Sequence, residues 1–171
     1  MKRLLLIGSC LVCTCAFAHP SFESNIVNAG KVFRANMMVT HGCGDSPTLK
    51  LIVDVPEDVL AITPRVKPGW TVELIESDLK TPRTVFGMER TKYTSQIIWS
   101  GGILDGDYFD IFSFIVIPPS EEMTLHFPAT QVCVDRTDAY ISIPGSDAED
   151  EESAGTAPSL IVIKGTDAQE H

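Results

Sequence analysis

The chain has 171 residues, of which 13 are lysine or arginine and 23 are aspartate or glutamate, giving a formal net charge of −10. This length suits one domain with a buried core and is too short for two large ones. The acidic balance disfavours nucleic acid as a partner, because binding to a phosphate backbone depends on clustered basic residues.

The N-terminal segment has the pattern of a secretory signal peptide. A basic stretch, Met1–Arg3, precedes a mostly apolar run, Leu4–Cys15, and an A-x-A cleavage site, Ala16–Ala18. The apolar run is well short of the roughly 20 residues needed to span a bilayer. We therefore expect an exported, soluble protein, periplasmic or secreted, whose mature chain begins at His19. A competing interpretation is a lipoprotein box at Ile7–Cys10, which would leave a very short hydrophobic stretch before the cleavage point.

Cleavage after Ala18 leaves 11 basic and 23 acidic residues, a net charge of −12. We expect a single domain over residues 19–165 and a flexible tail over 166–171. The acidity is concentrated in Asp147–Glu152, within a stretch rich in glycine, serine and alanine. Such a block is typical of a solvated, mobile loop, here about 145–157, and low-affinity cation gathering is the alternative.

Short segments rich in β-branched and aromatic residues recur along the chain, separated by glycine and proline. They are Val32–Val39, Thr48–Val55, Thr71–Ile75, Ser95–Trp99, Tyr108–Ile117, Met123–Phe127, Ala139–Ile143 and Leu160–Ile163. Only Pro56–Leu60 and Asp78–Thr84 allow a brief helical turn. The spacing predicts an all-β protein, an antiparallel β-sandwich as in immunoglobulin-like domains.

Two of these segments indicate how the core is built. In Thr48–Val55, Leu49, Leu51, Val53 and Val55 alternate with Lys50, Ile52 and Asp54, so the former are predicted to face inward. In Tyr108–Ile117 both faces are apolar, which favours a central position or cover by another element. Trp70 and Trp99 are predicted to be aromatics of the core or of a barrel mouth, with walls of a ligand site as the alternative.

Only two of the five cysteines, Cys43 and Cys133, lie outside the predicted leader. In an oxidising compartment two such cysteines most simply pair in a disulfide. A soft two-thiolate metal site is the alternative, but neither cysteine has a CxxC spacing that would support it.

The sequence contains no motif for catalysis, such as GxSxG, HExxH or a phosphate-binding glycine loop. It does offer a histidine at the predicted new N-terminus. The α-amine and the imidazole Nδ1 of His19 can chelate one metal ion, and nitrogen donors in a tetragonal arrangement favour Cu(II). Pro20 has no amide hydrogen, so its nitrogen cannot become a deprotonated amide ligand. The other histidines, His41, His126 and His171, are expected to be structural or solvated.

From His41 onward several motifs occur in one order, and the chain resembles the YcnI-like family of exported copper-binding domains. They are HGCGDSPT, VDVPEDV, PRVKPGW, IIWSGGILDGDYFDIFSF, LHFPATQVC and APSLIVI. The resemblance covers essentially residues 19–163. It implies a compact β-sandwich related to cupredoxin-like folds, which binds Cu(II) through its N-terminal histidine and serves in copper trafficking or homeostasis at the cell envelope.

Transferred to this sequence, the resemblance implies that His19 holds the copper and that Cys43 and Cys133 are the family's two cysteines. Tyr140 stands where the family usually has a tryptophan near the metal. The segment Gly30–Ala35 carries no glutamate of the kind that completes the site in some members. Glu23, nearer the N-terminus, is then the candidate substitute.

The leading hypothesis is a Cu(II) carrier, buffer or chaperone that delivers copper to an envelope transporter or acceptor protein. An oxidative copper enzyme is a second hypothesis, and it would need His41 or His126 as an additional ligand. A third is an envelope interaction module without a metal. It would present an exposed apolar patch or an unpaired sheet edge.

Overall fold

The structure, a computed structural model, describes residues 19–145 and 154–165. Within these ranges the chain forms strands and turns and no helix. The strands are β1 (Ser21–Phe22), β2 (Ile26–Asn28), β3 (Phe33–Val39), β4 (Thr48–Asp54), β5 (Ala61–Pro64), β6 (Thr71–Val85), β7 (Met88–Leu104), β8 (Asp110–Ile117), β9 (Met123–His126), β10 (Ala129–Cys133), β11 (Thr137–Ser142), β12 (Gly155–Thr156) and β13 (Ser159–Ile163).

The strands form three sheets, in the orders β1-β3-β8-β5, β12-β11-β10-β4-β7-β6 and β2-β13-β9. Most neighbours are antiparallel, whereas β11 with β12 and β13 with β2 are parallel. The predicted all-β sandwich is therefore confirmed. The predicted signal peptide (1–18), the acidic block Asp147–Glu152 and the predicted tail (166–171) lie outside the described residues.

The core is filled by large apolar side chains from strands of all three sheets. Trp99, Phe112, Phe114 and Phe127 are each at most 1% exposed. Their rings meet in edge-to-face or tilted contacts, with Trp99 and Phe112 at 5.5 Å and Phe114 and Phe127 at 5.7 Å. Trp99 is thus a core residue as predicted, and the half-buried Trp70 packs edge-on against Phe112 at 5.1 Å.

The predicted inward face of β4 is confirmed for Leu51, Val53 and the following Val55, which are buried. It is wrong for Leu49, whose side chain is 37% exposed while Thr48 is fully buried. The register between β4 and β7 shifts between Thr48 and Lys50. This irregularity interrupts the two-residue period. Thr48, which precedes it, therefore faces inward in place of Leu49.

The apolar character of both faces of β8 reflects its central place in its sheet, between β3 and β5. Phe112, Phe114 and Val116 point into the core, while Ile115 on the other face is 46% exposed. The central position expected from the sequence is confirmed. The outer face carries apolar residues without being fully covered.

The helical turn allowed at Asp78–Thr84 is wrong, because these residues belong to β6. Strands β6 and β7 form a long hairpin closed by Phe86 and Gly87, with φ of 51° and 76° and Val85 paired to Met88. A two-residue loop with both φ values positive is the type I′ turn that matches strand twist. The hairpin is largely exposed on both faces, so it carries no alternating pattern. Pro56–Leu60 is a turn and not a helix, with Val59 N donating to the carbonyl of Pro56 at 3.1 Å.

The predicted disulfide is present between Cys43 and Cys133, whose Cα atoms are 6.1 Å apart. It joins the loop after β3 to the end of β10, and the two-thiolate metal site is thereby excluded. Beside it the buried Gln131 side chain donates to the carbonyl of His41 at 2.8 Å and to Thr48 Oγ1 at 2.6 Å. Among the described residues, no helix is long and apolar enough to cross a membrane.

Candidate metal centre

The segment that carries His19 is fixed to the sandwich by its next residues. Pro20 is buried, and Ser21 and Phe22 pair as β1 with Met38 and Met37 of β3. The ring of Phe22 lies edge-on to Phe114 at 6.0 Å and to Phe127 at 5.4 Å, at the edge of the core. Because Phe22 is anchored in this way, the half-buried His19 is held against the fold.

The imidazole of His19 packs against the ring of Tyr140 on β11. The ring centroids are 5.3 Å apart and the planes are inclined by 71°, an edge-to-face contact. Tyr140 lies between Ala129 of β10 and Gly155 of β12 in the ladder. Strand pairing on both sides of β11 thus holds the aromatic neighbour that the family resemblance indicated.

Gly155 is the third member of this contact. A Cβ atom added there would lie 2.5 Å from Cδ1 of Tyr140 and 2.8 Å from Cδ2 of His19, closer than real Cβ contacts come. Only a glycine lets the backbone of β12 approach both rings. No local sequence pattern indicates this role, because the approach depends on the pairing of β12 with β11. Gly155–Thr156 also falls inside the predicted loop of about 145–157, which is therefore shorter at its C-terminal side.

A shallow groove of ≈ 290 Å³ opens beside His19. It is lined by His19, Pro20, Ser21, Phe22, Asn25, Thr156, Ala157, Pro158 and Ser159. Hydroxyl and amide groups supply the polar part of this lining. No group of three or more His, Cys, Asp or Glu side chains suited to a metal ion occurs among residues 19–145 and 154–165.

Burial raises the pKa of Tyr140 above its usual value of 10.0, the nearby carboxylate of Asp138 raises it further, and Arg136 opposes the shift. The phenol therefore keeps its proton at neutral pH. The ring of Tyr140 forms a wall beside the imidazole of His19.

Glu23 lies four residues after His19 and its carboxylate is exposed. Asn36 Nδ2 donates to Glu23 Oε2 at 2.8 Å, and the backbone N–H of Glu23 donates to the carbonyl of Asn36 at 3.0 Å. These two hydrogen bonds hold Glu23 beside Asn36 of β3. Four residues of extended chain span about 13 Å, so both side chains would have to reach toward each other to share one ion.

The remaining histidines occupy separate structural settings. The carbonyl of His41 accepts a hydrogen bond from Gln131, and its ring Nδ1 lies against the carbonyl of Gly42. His126 ends β9 opposite Ser159, and its buried Nδ1 has no hydrogen-bond partner among the described residues. His171 lies outside the described residues.

Comparisons with known proteins support this architecture. The sequence model of the family described as domain of unknown function DUF1775, to which the YcnI-like proteins belong, matches residues 19–162. An uncharacterised protein from Nocardia farcinica, whose crystal structure has an immunoglobulin-like fold, superposes with a TM-score of 0.61 at 23% identity, covering 85% of this chain and 99% of that one. This structural similarity shows that the chain has an immunoglobulin-like fold.

Two further solved structures are much less similar to this chain. A type I cohesin from Pseudobacteroides cellulosolvens has a TM-score of 0.42 at 8% identity, covering 89% of this chain and 96% of that one. A family 123 glycoside hydrolase from Clostridium perfringens has a TM-score of 0.34 at 8% identity, covering 83% of this chain and 23% of that one. A search of curated proteins returned no match.

Proposed function

The chain belongs to the DUF1775 family, that of the YcnI-like proteins, and on this premise we propose that it is an exported carrier of Cu(II) that holds the ion at His19. The leader is removed after Ala18, and the mature protein is periplasmic or secreted. It serves copper trafficking or homeostasis, receiving copper or passing it to an envelope transporter or acceptor. The family match begins at residue 19, the position that cleavage would expose, which supports this processing.

The observation that carries the proposal is the packing of His19 against Tyr140 and Gly155. A histidine of a freely moving terminus would pay a large loss of side-chain and backbone entropy on binding a metal ion. Here Phe22 anchors the segment and Tyr140 flanks the ring. The imidazole is thus partly positioned before the ion arrives, which favours binding.

The donor atoms suit Cu(II). Once the leader is cleaved, the α-amine and Nδ1 of His19 provide two nitrogen ligands, and Cu(II) has the highest affinity of the divalent first-row ions for such ligands. Pro20 supplies no amide proton and is buried. The chelate therefore ends at His19, and oxygen donors from the groove, from Glu23 or from solvent complete the coordination.

A carrier suits these residues better than an oxidative enzyme. His41 and His126 are fixed by their own strands and loops. The copper-loaded protein is expected to pass its ion to a chelating acceptor and to consume no hydrogen peroxide. Sustained peroxide consumption that depends on His41 or His126 would instead indicate the enzyme.

The proposal is tested by competition titration of Cu(II) between a chelator and the processed protein, with its first residue checked by mass. A variant with one extra residue before His19 keeps the imidazole but converts the amine to an amide. We expect this variant and His19→Ala to lose tight binding while keeping the fold. Glu23→Gln tests the carboxylate separately. Equal affinity in the extended protein would place the copper site elsewhere.

A further inference from the structure

The tip of the β6–β7 hairpin, residues 79–93, has a net charge opposite in sign to that of the whole chain. It contains Lys80, Arg83, Arg90 and Lys92 with a single acidic residue, Glu89, a net charge of +3 in a chain of −10. Lys80 lies near Glu57, at 3.6 Å. The other three basic residues of the tip form no ion pair among the described residues, where the pairs are Lys67–Asp110, Lys80–Glu57 and Arg136–Asp138.

Two of these cations face each other across the hairpin. Arg83 is paired with Arg90 in the antiparallel ladder, so their side chains project from the same face, an arrangement that destabilises a sheet unless the charge is neutralised. The guanidinium of Arg83 is held by a hydrogen bond to the carbonyl of Val59 at 2.6 Å, and its Nε is buried with no partner among the described residues. The charge of Arg83 is therefore kept in place beside Arg90.

A cleft of ≈ 240 Å³ lies between the hairpin and the segment around β5. It is lined by Val59, Leu60, Ala61, Ile62, Glu76, Arg83, Val85, Phe86, Arg90, Lys92, Tyr93 and Thr94. Three cations and one carboxylate, that of Glu76, leave this lining net positive. Arginine presents a planar fork that binds phosphate oxygens in pairs, and lysine adds a point charge. The cleft thus has the chemistry of a phosphate site.

Apolar side chains stand exposed beside the cations. Phe86 is 68% exposed and Met88 52% exposed, so neither contributes much to the core. Phe86 also adopts φ of 51°, a conformation in which glycine, asparagine or aspartate is the usual residue of a type I′ turn. Strain held at an exposed aromatic residue points to a role outside folding.

We propose that the tip of the β6–β7 hairpin binds the surface of an anionic phospholipid membrane. Arg83, Arg90 and Lys92 bind the phosphate groups of the lipids. Phe86 and Met88 insert at the boundary between head groups and acyl chains. Cations beside exposed apolar side chains are the combination that holds a protein at such a surface, by electrostatic attraction together with apolar burial. A free phosphate in solution would use the cations but would leave Phe86 and Met88 exposed. This site is separate from His19 and does not depend on copper.

The test is flotation of the copper-free, processed protein with vesicles of phosphatidylglycerol and phosphatidylcholine in equal parts, and with vesicles of phosphatidylcholine alone. We expect binding to the anionic vesicles only, weakening as salt is added. Arg90→Gln/Lys92→Gln should lower the partition coefficient by about 10- to 30-fold. Phe86→Ser should lower it by about fivefold.

The matched control is Lys31→Gln/Lys50→Gln, which removes the same charge from exposed positions outside the tip and should leave binding unchanged. A parallel titration with inorganic phosphate, followed by nuclear magnetic resonance, separates a soluble anion from a lipid. Phosphate binding without vesicle binding would overturn the proposal. Equal binding to both vesicle types, or equal loss in both double variants, would also overturn it.

Discussion

His19 and Tyr140 meet edge to face with their ring centroids 5.3 Å apart, and the backbone of Gly155 lies against both rings. This contact joins the start of the domain to a strand near its end. Its consequence is that the environment of the proposed copper ligand is set by side chains and backbone from three separate segments.

Replacing Gly155 by alanine should disturb both rings at once. The new Cβ would lie 2.5 Å from Tyr140 and 2.8 Å from His19, so one ring or the strand must shift. We expect the free energy of unfolding to fall by about 1–3 kcal/mol and Cu(II) affinity to fall by about tenfold or more. Gly165→Ala is the control, since its Cβ would meet only Asn28, at 3.4 Å. Unchanged copper affinity in Gly155→Ala would show that the contact does not position the metal site.

The phenol of Tyr140 should titrate above its usual pKa of 10.0, chiefly because it is buried and also because Asp138 is near. The folded state thus keeps this proton more strongly than the unfolded state. The resulting stability is fully present below pH 10.0 and is lost as the pH rises through the raised pKa. A near-ultraviolet pH titration should show a late step that Tyr140→Phe removes. A late step that persists in this variant would contradict the assignment.

Phe22 should contribute both to stability and to the proposed copper site, because its ring anchors the segment that begins at His19. Phe22→Ala removes its contacts with Phe114 and Phe127. We expect a loss of about 2–4 kcal/mol in chemical denaturation and weaker Cu(II) binding in the variant while it is still folded. Phe109→Ala is the matched control, as Phe109 is 64% exposed and should change stability by less than about 0.5 kcal/mol. Equal effects of the two variants would refute the anchoring role.

Removing the disulfide should lower stability and leave the proposed copper site at His19 intact. Cys43 and Cys133 are 90 residues apart in sequence, so the chain-entropy model gives a loss of about 4–5 kcal/mol for Cys43→Ala/Cys133→Ala. Urea unfolding of oxidised protein and of the double variant measures this difference. Cu(II) affinity, measured where the variant remains folded, should not change. A loss of affinity comparable with that of His19→Ala would show that the disulfide supports the site directly.

The strands that could be predicted are those whose burial imposes a pattern. β4 and β8 are recognisable because one face meets the core, as Leu51 and Phe112 show. The outer parts of β6 and β7 escaped prediction, because a hairpin exposed on both faces is held by backbone pairing that leaves no apolar period. β1 and β12 have two residues each, too few for any period to appear.

The candidate site likewise combines residues that the sequence predicts with one that it does not. His19 is identifiable from the cleavage pattern, and Tyr140 from the family resemblance. Gly155 was not identifiable, because its closeness to both rings is a property of strand pairing between distant segments. Pairing of this kind is fixed by the whole fold and leaves no mark in local composition.

The most direct test of the central claim is electron paramagnetic resonance of the processed protein, beginning at His19 and loaded with one equivalent of Cu(II). Chelation by the α-amine and Nδ1 of His19 predicts a tetragonal Cu(II) signal with hyperfine coupling to two nitrogens. This pattern should disappear when one residue is added before His19. A spectrum that is identical with and without the added residue, or an absence of bound Cu(II) in the processed protein, would contradict it.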